Sequence, residues 1–95
     1  MLLSKENYEI KNKLMEFEQK IEDMHQDFYR YYYGTEKKMP NWEAFERELL
    51  NYSRRKILDF ELSRNFDRIL YKFQNRKQIW LKWIEESHHV SKGKG

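Results

Sequence analysis

From Leu3 to Tyr31 the apolar side chains follow an almost unbroken alternation of four- and three-residue steps: Leu3, Ile10, Leu14, Phe17, Ile21, Met24, Phe28 and Tyr31, with Asn7 the one polar member. This spacing puts them on one stripe of an α-helix. It makes a heptad seam of the coiled-coil kind, which needs at least one further helix to cover it. The pattern predicts a first helix over residues 4–33. Ser4 is its candidate N-cap, and Gly34 stands where a left-handed C-cap is expected.

Gly34 and Pro40 bracket a connector, after which Asn41 is a good N-cap and Glu43 supplies the acid that a helix dipole favours in its first turn. Trp42, Phe45, Leu49 and Tyr52 then share one face, which predicts a short middle helix over residues 41–53. The pattern breaks across residues 51–56, where Ser53 is a candidate cap for a third helix, although nothing there forbids a continuous one. From residue 55 to 87 no Gly or Pro intervenes, and Leu58, Leu62, Phe66, Ile69, Phe73, Trp80 and Trp83 or Ile84 recur at helical spacing. One step is missing at Arg76 and Lys77, whose long stems can be buried while the charges stay in water.

The expected fold is therefore all-α: a long coiled-coil-like pair, residues 4–33 and 55–87, each about 45 Å long at roughly 1.5 Å per residue, braced by the middle helix as a three-helix bundle. Residues 1–88 form one domain, and residues 89–95 are read as a disordered tail. The relative direction of the two long helices is left open. If they are parallel, the aromatic run Phe28–Tyr33 and the apolar run Ile79–Ile84 meet at one end with Trp42; if antiparallel, the tryptophans face Leu3 and Ile10.

Composition narrows the class. The chain has 95 residues, 39% of them hydrophobic and 37% charged, which is too polar for a membrane protein, whereas 17% aromatic content is too rich for a disordered one. No apolar run approaches the roughly 18 residues of a spanning helix, and the first residues lack a signal-peptide core, so a cytoplasmic location is expected. There are no cysteines, which excludes disulfide and thiolate chemistry. Residues 1–47 carry 8 Lys and Arg against 10 Asp and Glu, a net −2, and residues 48–95 carry 11 against 6, a net +5. An acidic helix lying beside a basic one is the simplest use of that split.

Arg64, Arg68, Lys72 and Arg76, spaced by four, form a basic strip with Tyr71, Asn75 and Gln78 near it. Such a strip suits a phosphate backbone, and it equally suits a solvated face or pairing with Glu9, Glu16 and Asp23 of the first helix. The aromatic clusters have two readings as well. They are an aromatic-rich core, or they are anchors for a partner, and the candidate contact residues are Tyr32, Tyr33, Trp80, Leu81 and Trp83. His25, His88 and His89 have no metal-binding spacing on a rigid face, and no nucleophile elbow or phosphate loop occurs, so no catalytic residue, cofactor or metal site is expected. Ile79–Ile84 with its flanking cations suggests an interfacial anchor, but Glu85 and Glu86 would be repelled by anionic lipid.

Phe28-Tyr29-Arg30-Tyr31-Tyr32-Tyr33-Gly34-Thr35-Glu36-Lys37, the following Pro40, Arg54-Arg55, Asn65-Phe66, Arg68, Leu70, Phe73 and Trp80 together resemble a small all-helical module of bacterial proteins, sometimes attached to signalling domains. The resemblance covers residues 28–80 and implies an adaptor rather than an enzyme, with no catalytic residues to carry over. The function expected is a non-enzymatic protein-interaction or oligomerisation module, with a second copy or another protein as partner. Nucleic-acid binding through Arg64, Arg68, Lys72 and Arg76 is the alternative.

Overall fold

The computed structural model describes the backbone of residues 2–94 and the side chains of residues 5–87. Three helices follow one another: α1 (Leu2–Tyr32), α2 (Trp42–Tyr52) and α3 (Phe60–Lys94). The expected all-α three-helix bundle is the fold. The seam residues Ile10, Leu14, Phe17, Ile21 and Phe28 of α1 are buried against Phe45 and Leu49 of α2 and Phe66, Ile69, Phe73 and Trp80 of α3. Met24 and Tyr31 are half-buried, and the side chain of Leu3 lies outside the described residues.

The direction left open by the sequence is parallel. Asn7 lies beside Asp59, Glu22 beside Arg76, His25 beside Trp80 and Tyr32 beside Glu86, so α1 and α3 keep a nearly constant offset of 52 to 55 residues along their length. α2 runs back between them, with Trp42 next to Lys77, Phe45 next to Phe73, and Tyr52 next to Phe66 and Phe17. The whole measures 62 × 18 × 17 Å, a rod three helices across at its thickest. At 11 residues α2 is about 16 Å long at 1.5 Å per residue, so it covers only the middle of the long pair. Beyond Lys77 the pair continues without it.

Local chemistry sets the ends. Gly34 adopts φ 82°, with its N–H donating to the Tyr31 carbonyl and the Thr35 N–H to the Arg30 carbonyl, which is a Schellman closure of α1 at the expected glycine. Asn41 caps α2 by accepting from the Ala44 N–H at 3.1 Å, as expected. The expected start of the third helix is corrected. Ser53 closes α2, its N–H donating to the Leu49 carbonyl, while Asp59 caps α3 by accepting from the Leu62 N–H at 2.9 Å. Leu58, expected in the seam, therefore falls in the linker and is 69% exposed. The helix is assigned through Lys94, and the side chains of residues 88–95, with the expectation of a disordered tail at 89–95, lie outside the described residues.

The cap assignment predicts that Asp59→Ala lowers stability by about 1 kcal/mol in urea unfolding. Ser53→Ala has the smaller effect, because Ser53 sits after a helix rather than before one. A larger loss for Ser53→Ala would reverse the assignment.

Candidate interaction surface at the aromatic end

The seam of α1 has two flanks, and they meet different partners. Lys13 and Lys20, seven apart on one flank, both reach Glu48 of α2, at 3.6 and 3.0 Å. On the other flank Glu22 binds Lys72 at 2.6 Å and Arg76 at 3.1 Å on α3. The two cations beside it hold the Glu22 carboxyl below the ordinary carboxylate value, the Lys72 hydrogen bond contributing most. Lys77, one residue on from Arg76, turns the opposite way, to Glu46 of α2 at 2.7 Å, with its ammonium 5.0 Å from the centre of the Trp42 ring. The apparent gap in the third seam is thus a pair of basic side chains that tie α3 to both neighbours, stems inward.

Above that level the two long helices meet through rings. Trp80 is wholly buried, stacked on Phe28 at 4.8 Å with 15° between the planes, edge-on to Phe73, and its indole N–H donates to Nδ1 of His25 at 3.0 Å. Trp83 is half-buried between three rings of α1: His25 at 5.3 Å, Tyr29 at 6.1 Å and Tyr32 at 5.4 Å, the last nearly parallel. The Tyr32 hydroxyl donates to Glu86 Oε2 at 2.7 Å, an arrangement that raises the phenol above its ordinary value because ionising it would set two negative oxygens together. Tyr29 and Tyr33 pack on each other with centroids 4.5 Å apart and stay 52% and 62% exposed. A shallow recess lined by His25, Gln26, Tyr29 and Arg30 lies alongside.

The structure places the five candidate contact residues in one region and gives them different surroundings. Trp80 belongs to the core and presents no surface, with Phe28 stacked on it and Phe73 packed edge-on. Leu81, Tyr32 and Trp83 are half-buried, and Tyr33 is exposed. Tyr29, which was not singled out in the sequence, completes the outward pair. It falls at the same heptad position as Tyr8, Met15 and Glu22, just outside the seam on the α3 flank, and that spacing was the available signal.

The basic strip divides. Lys72 and Arg76 are taken up by Glu22, not by Glu9, Glu16 or Asp23 as the heptad spacing of those acids suggested. Glu16 lies 3.7 Å from Lys13 on its own helix, and Asp23 accepts from Gln19. Arg64 and Arg68 remain exposed, with no ion pair among the described residues, Arg64 lying over the Phe60 ring. Among the described residues no cluster of three metal-binding side chains occurs, and no helix is long and apolar enough to cross a membrane. Comparison with protein-family models, with curated proteins and with solved structures finds no match for this chain.

Two outcomes follow from the packing. Trp80→Ala should cost about 3–5 kcal/mol by leaving a large cavity, measured by thermal or urea unfolding, whereas a change of under 1 kcal/mol would remove Trp80 from the core. Glu22→Gln should cost roughly 0.5–1 kcal/mol near neutral pH, a modest sum because the group is partly solvated. The carboxylate sits below its ordinary 4.5 in the fold, so its contribution is present above that value and fades as pH falls through the lower folded-state value. Wild type and Glu22→Gln should therefore converge in strong acid. A constant difference down to pH about 2 would contradict the pairing.

Proposed function

We propose that this chain is a non-enzymatic helical interaction module, of adaptor or scaffold type, that docks on a protein partner or a second copy of itself through the aromatic end of the α1–α3 pair. The observation that carries the reading is the outward Tyr29–Tyr33 pair, packed ring on ring and more than half exposed, seated on a platform of Trp83 and Tyr32. Tyrosine gives large contact area for little conformational entropy, and Tyr and Trp dominate the energetics of protein interfaces. Two polar pairs at this end are bonded internally, His25 with Trp80 and Tyr32 with Glu86, and the Tyr29–Tyr33 rings lie outside them. Tyr33 is the anchor, Tyr29 joins it, and Tyr32, Leu81 and Trp83 form the edge. An adaptor is also what the resemblance to the bacterial helical module implies.

Light scattering across a roughly hundredfold concentration range tests the self-associating form, since it spans an equilibrium of micromolar Kd. The mass should rise with concentration, or a protein partner should be retained, and Tyr29→Ser with Tyr33→Ser should abolish either effect while leaving the unfolding midpoint nearly unchanged. A chain that stays monomeric and whose partners are indifferent to the double substitution would refute the reading.

Nucleic-acid binding is the second reading, favoured by one observation: Arg64, Arg68 and Tyr71 are all exposed on α3. With Lys72 and Arg76 already engaged by Glu22, the strip offers two free cations rather than four. Its signature would be a log–log salt slope near −1.8, from about −0.9 for each of two phosphates, and not the −3.6 of four. Absence of any mobility shift with DNA or RNA at about 50 mM salt eliminates it.

A further inference from the structure

We infer that the His25–Trp80 contact makes the aromatic end a proton-operated latch: a proton gained at Nδ1 of His25 releases the Trp80 N–H and loosens this end of the α1–α3 pair, while the three-helix segment below stays packed. The inference is independent of the docking reading, since it concerns contacts within one chain.

The geometry carries it. An indole N–H is a donor only, and Trp80 is wholly buried, so its partner matters. That partner is Nδ1 of His25 at 3.0 Å, which can accept only while it holds a free lone pair, with the imidazole proton on Nε2. Protonation at Nδ1 turns the acceptor into a donor and sets two N–H groups against each other inside a packed aromatic cluster. The imidazole is half-buried, with the α3 rings of Trp80 and Trp83 beside it and Tyr29 one turn above it on α1, and its open side lines the recess shared with Gln26 and Arg30.

The charges facing it are Arg76 of α3, which opposes a proton, and Glu22 one turn below on α1, which favours one but is already bound to Lys72 and Arg76. Burial and Arg76 prevail and hold His25 below the ordinary imidazole value of 6.5. A base held below its unfolded-state value stabilises the fold fully above that value. The contribution is lost as pH falls below 6.5 and levels off beneath the folded-state value.

The loss is local because of the fold. α2 starts at Trp42, beside Lys77, so Phe45 and Leu49 buttress the pair below His25 and not above it. Trp80 in turn supports Phe28, and Trp83 supports Tyr32, so releasing one ring unsettles the others.

Amide hydrogen exchange of the intact chain, corrected for the intrinsic pH dependence of exchange, tests this between pH 7.5 and 5. Protection at residues 78–84 should fall about tenfold for each pH unit between the ordinary and the folded-state imidazole values, since one pKa unit corresponds to a factor of ten, while protection at Ile69 and Phe73 holds. His25→Asn, whose amide oxygen can replace Nδ1 as acceptor and does not titrate, should remove the pH dependence. A His25→Asn chain that loses the same protection over the same range overturns the proposal. Should that variant not fold, 15N spectra of the wild-type histidine decide: Nδ1 must be the unprotonated nitrogen near neutral pH, and a proton on Nδ1 there overturns the latch equally.

Discussion

The parallel register of α1 and α3 is the constraint on which the rest of this structure depends. Two successive long helices can lie parallel only if the chain returns between them, and here the return is made by two linkers and the 11 residues of α2. The return helix is about a third of the length of its neighbours, so the third side of the bundle is filled by helix only around the middle, where Phe45 and Leu49 are buried. Beyond Lys77 no helix fills the third side; only the connector between α1 and α2 passes there, with Met39 and Pro40 in a recess shared with Asp27. The long pair excludes water there with bulk: Trp80, Trp83, Phe28 and Tyr32 fill by ring size the space that α2 fills below. The surplus of aromatic residues at this end is thus a consequence of topology, and the Tyr29–Tyr33 pair is what is left over after the gap is closed.

Charged side chains select the arrangement rather than supply its cohesion. Most of the ion pairs are partly solvated and individually worth about 1 kcal/mol or less, but their placement is informative. Glu48 draws two lysines of α1, Glu22 draws two cations of α3, and Lys77 bonds to Glu46 of α2. An antiparallel α3 would separate Glu22 from Lys72 and Arg76. Part of the charge split between the halves of the sequence is taken up inside the molecule, and the capture of Lys72 and Arg76 by Glu22 removes half of the basic strip from any external role.

Helix content, the three-helix plan, the α1 seam, the Gly34 closure and the Asn41 cap were all legible, because each rests on local spacing or a single residue's conformational preference. Direction was not, since a heptad stripe reads the same whichever way its partner runs; it is decided by pairs 52 to 55 residues apart. The start of α3 was misread because Ser53 and Asp59 are both competent caps, and Leu58 continues the apolar spacing by coincidence while the chain is still in the linker. At the aromatic end the region was legible and the roles were not. Periodicity alone cannot tell that Trp80 is enclosed while Tyr29 faces outward, and His25, weighed only as a metal ligand, turns out to be the acceptor for a buried indole.

The absence of cysteine makes the central claim accessible to a clean distance measurement. Spin labels on cysteines introduced at Arg30 and Glu85, both exposed and 55 residues apart, report the register of α1 against α3 directly. Doubly labelled chain diluted into excess unlabelled chain restricts the reading to pairs within one molecule. The parallel register predicts a single short separation, about the 8–10 Å between packed helix axes plus the reach of the labels. A separation near 35 Å, as about 23 residues of axial displacement at 1.5 Å each would give in an antiparallel pair, would contradict it.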